Sequence, residues 1–287
     1  MKTRLFATVL SLALAAPAFA QTLPITQPLP VDPKITIGTL PNGLRYYIRQ
    51  NPKPEKRAEL RLVVKAGSIL EDDDQLGLAH FLEHTAFNGT TNFKKNELVS
   101  YLESIGVRFG ADLNAYTGFD ETVYILPVPT DSTHIVEKAF QVLEDWAHGQ
   151  IFDPTEVANE RGIVVEEWRG RKGAADRMLQ KWLPVALKGS RYATRLPIGT
   201  VESIQSATPD KLRRFYRDWY RPDQMAVIAV GDFDKAQIET LIKKHFTRIQ
   251  APARPRARPV ADVPDNQAPL VSIATDKEQV GTSINLM

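Results

Sequence analysis

Two histidines four residues apart, with a glutamate just before the second, constrain this chain more than any other stretch: His80-Phe81-Leu82-Glu83-His84. On an α-helix, residues four apart differ by about 40° in direction, so both imidazoles leave from one face. Phe81 and Leu82 then point away and suit the buried side. The run Gly77 to Phe87 reads as that helix, with Asn88-Gly89 as its stop. Two neutral imidazoles on one face suit zinc. Glu83 lies within a turn of both, placed to hold a water beside the ion without ligating it. The competing reading is an amphipathic helix whose histidines are merely hydrogen-bonded.

A two-histidine site needs a third protein ligand if one position is to stay open for water. The candidates are Glu160, Glu166 and Glu167 in Glu160-Arg161-Gly162-Ile163-Val164-Val165-Glu166-Glu167-Trp168. Pro154 suits the first turn of a helix running through Glu167. On it Glu160 and Glu167 differ by about 20° and share a face, while Glu166 is rotated by about 100° from Glu167. Ile163 and Val164 are expected to pack inward, which sets the carboxylates at a core edge. A lone helical glutamate is ordinarily a surface charge, and only the neighbouring motif singles these out. Cysteine is absent, which excludes disulfides, thiolate zinc ligands and a thiol nucleophile. His134, His148 and His245 have no partner at ligand spacing and read as surface or capping residues. The basic run Arg169 to Lys172 reads as a solvated face.

The first twenty residues have the pattern of a secretory signal: Lys2 and Arg4, an apolar run from Leu5 to Ala16, then Ala18-Phe19-Ala20. Removing them takes the formal charge of +2 to 0, so the balance gives no argument for nucleic acid as a partner. No other stretch is apolar and long enough to cross a bilayer, so no stable membrane insertion is expected after signal removal. Export is expected, to the periplasm or beyond.

Residues 21–34 carry four prolines and read as an extended leader. Strands are predicted at Ile35–Leu40, Leu44–Arg49, Ala58–Ala66, Val107–Tyr116, Thr122–Val128 and Gln224–Val230. Helices are predicted at Leu98–Ile105, over the apolar face from Ile135 to Ala147, and at Ala175–Lys188, Asp210–Tyr220 and Lys235–Phe246. Leu212, Phe215, Tyr216, Trp219 and Tyr220 read as a core stripe. The acidic cluster Glu71 to Asp74 suits either the helix N-terminus that follows it or a solvated loop. Residues 251–269 read as a solvated, Pro- and Arg-rich linker, and 270–287 as the opening strands of a second, incomplete domain.

Taken together, these motifs resemble the pitrilysin/insulinase family of zinc peptidases, whose H-x-x-E-H signature is the inverted zincin form. His80–His84 with Thr85-Ala86-Phe87-Asn88-Gly89-Thr90 resembles the family's active-site helix, and Glu160-Arg161…Glu167 its second motif. Gly110-Ala111-Asp112-Leu113-Asn114-Ala115-Tyr116-Thr117 resembles its substrate-pairing strand, and Tyr220-Arg221-Pro222-Asp223…Val230-Gly231-Asp232 the strand closing its first domain. The likeness runs over about residues 35–250, in the family's order. It implies an α+β, processing-peptidase-like domain: a mostly antiparallel sheet with helices packed mainly on one face.

The resemblance implies one Zn2+ per chain, held by His80, His84 and Glu167, with Glu160 supporting them, Glu83 as the catalytic base, and Asn114 and Ala115 pairing with an extended peptide. It implies an endopeptidase acting on unstructured peptides. The family builds its enzymes from two homologous halves, so a second half or partner chain is expected. A non-catalytic, peptide-binding or partner-dependent subunit is the alternative. A structural zinc domain would need a fourth protein ligand, and no suitable residue is evident.

Overall fold

The computed structural model describes residues 28–108, 110 and 114–286. The expected signal segment 1–20 and the first part of the expected leader lie outside the described residues. Residues 28–32 fall in a separate unit, and the fold below concerns the unit that begins at Pro33.

Six strands form one sheet: β1 (Thr36–Thr39), β2 (Arg45–Gln50), β3 (Arg57–Val64), β4 (Asn114–Thr117), β5 (Thr122–Pro129) and β6 (Met225–Gly231). Their spatial order is β1-β2-β6-β3-β5-β4. Only the β2–β6 pair is parallel. The late strand β6 is inserted between β2 and β3, so the chain returns to the middle of the sheet after its long helical excursion. Alternation explains the strands. In β3, Ala58, Leu60, Leu62 and Val64 are buried while Arg57 and Glu59 face solvent. Register aligns Leu126, Leu60, Ala229 and Ile48 in a row across four strands, and all four are fully buried. One face of the sheet therefore belongs to the core and the other carries polar residues, as antiparallel sheets permit.

The helices are α1 (Leu78–Thr85), α2 (Glu97–Ser104), α3 (Thr133–His148), α4 (Pro154–Gly170), α5 (Ala174–Ala186), α6 (Val201–Gln205), α7 (Pro209–Trp219) and α8 (Lys235–Phe246), of which α1, α3 and α8 pack directly on the sheet. In α3, Val136, Ala139, Phe140, Leu143, Trp146 and Ala147 form the buried face, packed on β3, β5 and α8. Leu212, Phe215 and Trp219 of α7 enter the same core, next to α1. The expected α+β class, with helices on one face of a mostly antiparallel sheet, is the observed one.

Several local expectations are corrected. Ile163 is 56% exposed, because helical rotation turns it away from the face that carries Glu160, Val164 and Glu167; Val164 and Val165 are the buried pair. His245 is buried between α8 and α3, where its Nδ1 lies 2.6 Å from Glu144. The short helix α6, capped by the Thr200 hydroxyl, has too few residues to show a period. Residues 251–269 contain neither helix nor strand, yet they are tethered. Arg256 makes two hydrogen bonds to Asp72 at 2.9 and 2.6 Å and lies over the Trp219 ring. Residues 270–286 form no strand. Val107 and Arg108 lie outside β4; the part of the predicted strand at 109 and 111–113 lies outside the described residues.

Candidate metal centre

The histidine helix α1 is held at both ends and along its back. Leu78, Ala79, Phe81 and Leu82 are fully buried, which turns His80, Glu83 and His84 toward α4 and β4. At its start, Glu71 is buried and accepts hydrogen bonds from the backbone N–H groups of Gly77 (2.9 Å) and Ala79 (2.8 Å). These are donors that a helix N-terminus leaves unpaired. Burial pushes the Glu71 carboxyl up to about 8, against those two N–H groups and the nearby Arg195 and Arg191. Arg191 and Arg195 both donate to the Glu71 carbonyl. Gly199 has φ of +66°, and a Cβ there would lie 2.4 Å from the Cα of Gly77. This glycine contact lets the segment before α6 sit directly on the start of α1, and so brings Pro197 and Ile198 to the site.

Helix α4 supplies the carboxylates. Asp153 fixes its start, its Oδ1 accepting from Thr155 N–H (2.8 Å) and Glu156 N–H (3.1 Å), with Pro154 in the first turn. Val157, Glu160, Val164 and Glu167 follow down one face toward α1, so helical period alone forces Glu160 among apolar neighbours. A buried carboxylate needs partners. Glu160 has two: Oε1 is 2.8 Å from Nδ1 of His84, and Oε2 accepts from Asn88 Nδ2 at 2.6 Å. Because a carboxylate accepts at Nδ1, that nitrogen carries the proton, and Nε2 of His84 is turned toward the site.

Three donor atoms converge there. Nε2 of His80 and Nε2 of His84 are 3.3 Å apart, and Oε2 of Glu167 lies 3.5 Å from the first and 3.4 Å from the second. Donors of a tetrahedral ion with ligand distances of about 2.1 Å stand roughly 3.4 Å apart. The triangle therefore has the right edge for one zinc-sized ion, and two imidazoles with one carboxylate are a zinc-type donor set. Among the described residues this is the one group of three such ligands within 4.8 Å of one another. Glu166 is not part of it; it pairs with Arg169 on the exposed side of the helix.

The electrostatics fit a cation between these groups. In the metal-free chain, burial works against charge on His84. The hydrogen-bonded carboxylates of Glu160 and Glu167 outweigh it and hold its pKa at about 9. Burial pushes His80 down to about 4, reinforced by the charge of His84. The bond to His84 holds Glu167 at about 2, against partial burial. The proton on Nε2 of His84 thus stands where a metal ion would meet the carboxylate of Glu167.

Glu83 faces the same cleft. Burial raises its pKa, opposed by the Thr117 hydroxyl, which donates to Oε2 at 2.6 Å. The cleft, about 480 Å³, is lined by His80, Glu83, His84 and Glu167, by Asn114–Thr117 of β4, and by Arg171, Pro197 and Ile198. Strand β4 is the edge of the sheet, bonded to β5 on one side only. The structure thus brings His80, His84 and Glu167 together, sets Glu160 behind His84, and puts Glu83, Asn114 and Ala115 on the same cleft. Sequence reasoning missed three supporting residues, Asn88, Arg171 and Thr117, and left the acidic cluster that holds Glu71 open between a helix N-terminus and a solvated loop. Asn88 and Arg171 each lie four positions beyond one of these donors, a spacing that could have found them. Thr117 lies two residues past Ala115 on the same strand, and Glu71 depends on a tertiary contact.

A sequence model of the family described as "Insulinase (Peptidase family M16)" matches residues 46–194. The chain belongs to the M16 peptidase family. A second model, "Peptidase M16 inactive domain", matches residues 206–286. The chain is 42% identical over 220 residues to the probable zinc protease PqqL of Haemophilus influenzae, covering 77% of this chain and 24% of that one. It is 41% identical over 248 residues to a zinc protease PQQL-like protein of Arabidopsis thaliana, covering 86% and 26%. The crystal structure of the first half of the periplasmic protease PqqL from Escherichia coli superposes with a TM-score of 0.78 at 38% identity. That match covers 83% of this chain and 51% of that one. This M16 chain spans about a quarter of the length of these two curated relatives.

Proposed function

We propose that this chain carries the zinc-dependent hydrolytic centre of an M16 endopeptidase that cuts unstructured peptides. The observation that carries the reading is the near-equilateral triangle of His80, His84 and Glu167 with Glu83 beside it on an open cleft. A zinc ion held there would supply Lewis acidity, making a water more acidic and stabilising negative charge on the substrate carbonyl oxygen. Glu83 accepts the proton of the attacking water and returns it to the leaving amine. Thr117 holds one Glu83 oxygen, leaving the other to face the water. Glu160 keeps His84 in the tautomer whose Nε2 faces the ion.

The peptide adds as a further strand along β4, where Asn114 and Ala115 offer main-chain partners and the cleft walls receive side chains. An extended backbone is required for that pairing, which favours unstructured substrates. A second homologous half encloses the substrate in the complete enzyme; the share of the relatives' length covered here supports that reading. Residues 1–20 act as a signal for export to the periplasm, 35–250 form the zinc domain, 251–269 link it onward, and 270–287 begin the next domain. The partner of the site is a peptide; neither nucleic acid nor a membrane is needed, and among the described residues no helix is long and apolar enough to cross one.

The test is zinc content and peptide turnover of the purified chain, alone and with a homologous second half. Glu83→Gln is expected to keep the metal and lower turnover by about 10²–10⁴-fold. Normal cleavage by that variant would remove Glu83 from its role.

A further inference from the structure

The site contains three carboxylates, and each is held by one oxygen or two. Glu160 is fully occupied, with one oxygen on His84 and the other on Asn88. Glu83 has Oε2 on Thr117. Glu167 has Oε2 toward the two imidazoles, while its other oxygen, Oε1, accepts from Nη2 of Arg171. Arg171 follows the last turn of α4, four residues after Glu167 and therefore over the same face. Its backbone N–H also donates to the carbonyl of Glu167 at 3.1 Å.

The neighbouring basic residues behave differently. Arg169 pairs with Glu166 away from the cleft. Lys172 lies over the Trp168 ring at 3.8 Å and bonds Asp176 at 3.0 Å. Arg171 alone of this run lines the cleft beside the donor triangle.

We infer that Arg171 is a positioning residue for the metal centre: by holding Oε1 of Glu167 it makes that carboxylate a one-oxygen ligand and keeps a coordination place open for water. This rests on the zinc reading above. A carboxylate free to swing can bring both oxygens to an ion, and the second oxygen then fills the place the water needs. With Oε1 engaged by the guanidinium, two-oxygen binding requires breaking a charge-assisted hydrogen bond. Groups that orient a metal ligand in this way tune the centre without touching the ion. The pair adds little to the fold, because the Arg171 side chain is 58% exposed and exposed ion pairs contribute little. A substitution at Arg171 therefore reports on the site rather than on folding.

The test uses cobalt(II) in place of zinc in the full chain. Cobalt(II) takes similar ligands, and its visible absorption is stronger in four-coordinate than in five-coordinate sites. Arg171→Met keeps the aliphatic stem and removes donors and charge. We expect its visible band to weaken roughly twofold or more as the coordination number rises, with melting behaviour close to the parent's. Arg169→Met, which breaks the neighbouring pair, should leave the band unchanged. An Arg171→Met spectrum superimposable on the parent's would overturn the inference, as would an equal change in Arg169→Met. A parent chain with no cobalt band, or a band that survives His80→Ala, removes the metal reading itself and this role with it.

Discussion

Two helix seams in this protein each set a histidine against a glutamate, and only one of the two has the makings of a metal centre. Between α1 and α4, Nδ1 of His84 lies 2.8 Å from Glu160. Between α8 and α3, Nδ1 of His245 lies 2.6 Å from Glu144. The near sides of the two rings are alike, and the far sides are not. Nε2 of His84 meets Nε2 of His80 and Oε2 of Glu167 within 3.4 Å. Among the described residues Nε2 of His245 has one charged neighbour, Glu137 at 3.6 Å, and Lys244 already pairs with that carboxylate. A buried imidazole–carboxylate pair is thus a general way to satisfy polar groups at a seam. What distinguishes the α1–α4 seam is convergence of further donors, which leaves lone pairs facing one another and asks for a cation.

The sharpest contrast comes from removing one ring at each seam. His80→Ala should abolish stoichiometric zinc binding, since two donors cannot hold the ion as three do. His245→Ala should leave zinc content unchanged and lower stability by roughly 1–3 kcal/mol, the cost of deleting a buried imidazole together with its bond to Glu144. Metal analysis and thermal melts of the two variants check both. Zinc loss in His245→Ala would erase the distinction between the seams.

A smaller effect is expected from Glu160→Gln. The amide retains the shape but no longer fixes His84 by a charge-assisted bond, and outer partners of this kind are typically worth 10–100-fold in metal affinity. The corresponding Glu144→Gln should not alter metal affinity. Competition against a chelator of known strength measures both.

The mildest test is pH. His84 is held at about 9, above its ordinary 6.5, so below pH 9 the metal-free chain keeps a proton on it that zinc must displace. Apparent zinc affinity should therefore rise about tenfold per pH unit up to about pH 9 and level off above it. In Glu160→Gln the bend should move to lower pH, because one of the carboxylates that raise the pKa is gone. Zinc titrations across pH 6–10 would show it, and an affinity independent of pH would contradict the assignment of the displaced proton.

These differences explain how much the amino-acid order disclosed. His80 and His84 share a face by helical spacing, and Glu160 and Glu167 likewise, but periodicity left the third donor open among the glutamates and the family resemblance singled out Glu167. Strands with alternating burial, such as β3, and helices with one apolar face, such as α3, were legible from their periodicity. What local pattern could not disclose depends on distant contacts. The backbone carbonyl of Glu71, whose carboxylate caps α1, is held by Arg191 and Arg195 from over a hundred residues away. His245 is buried because α3 passes over α8. Ile163 looked like core by type, but its position on α4 turns it outward. Arg171 reads as part of a solvated run, although its place four residues beyond Glu167 carries the i,i+4 spacing of the observed pair. The arginine of the tail that reaches Asp72 was likewise hidden, since prolines signal extension and say nothing of where the chain lies.

The most direct measurement is anomalous diffraction at the zinc edge from crystals of the zinc-loaded chain. One peak is expected, within bonding distance of Nε2 of His80, Nε2 of His84 and Oε2 of Glu167, with a water completing the coordination. A peak elsewhere, or a fourth protein ligand where that water should be, would contradict the account.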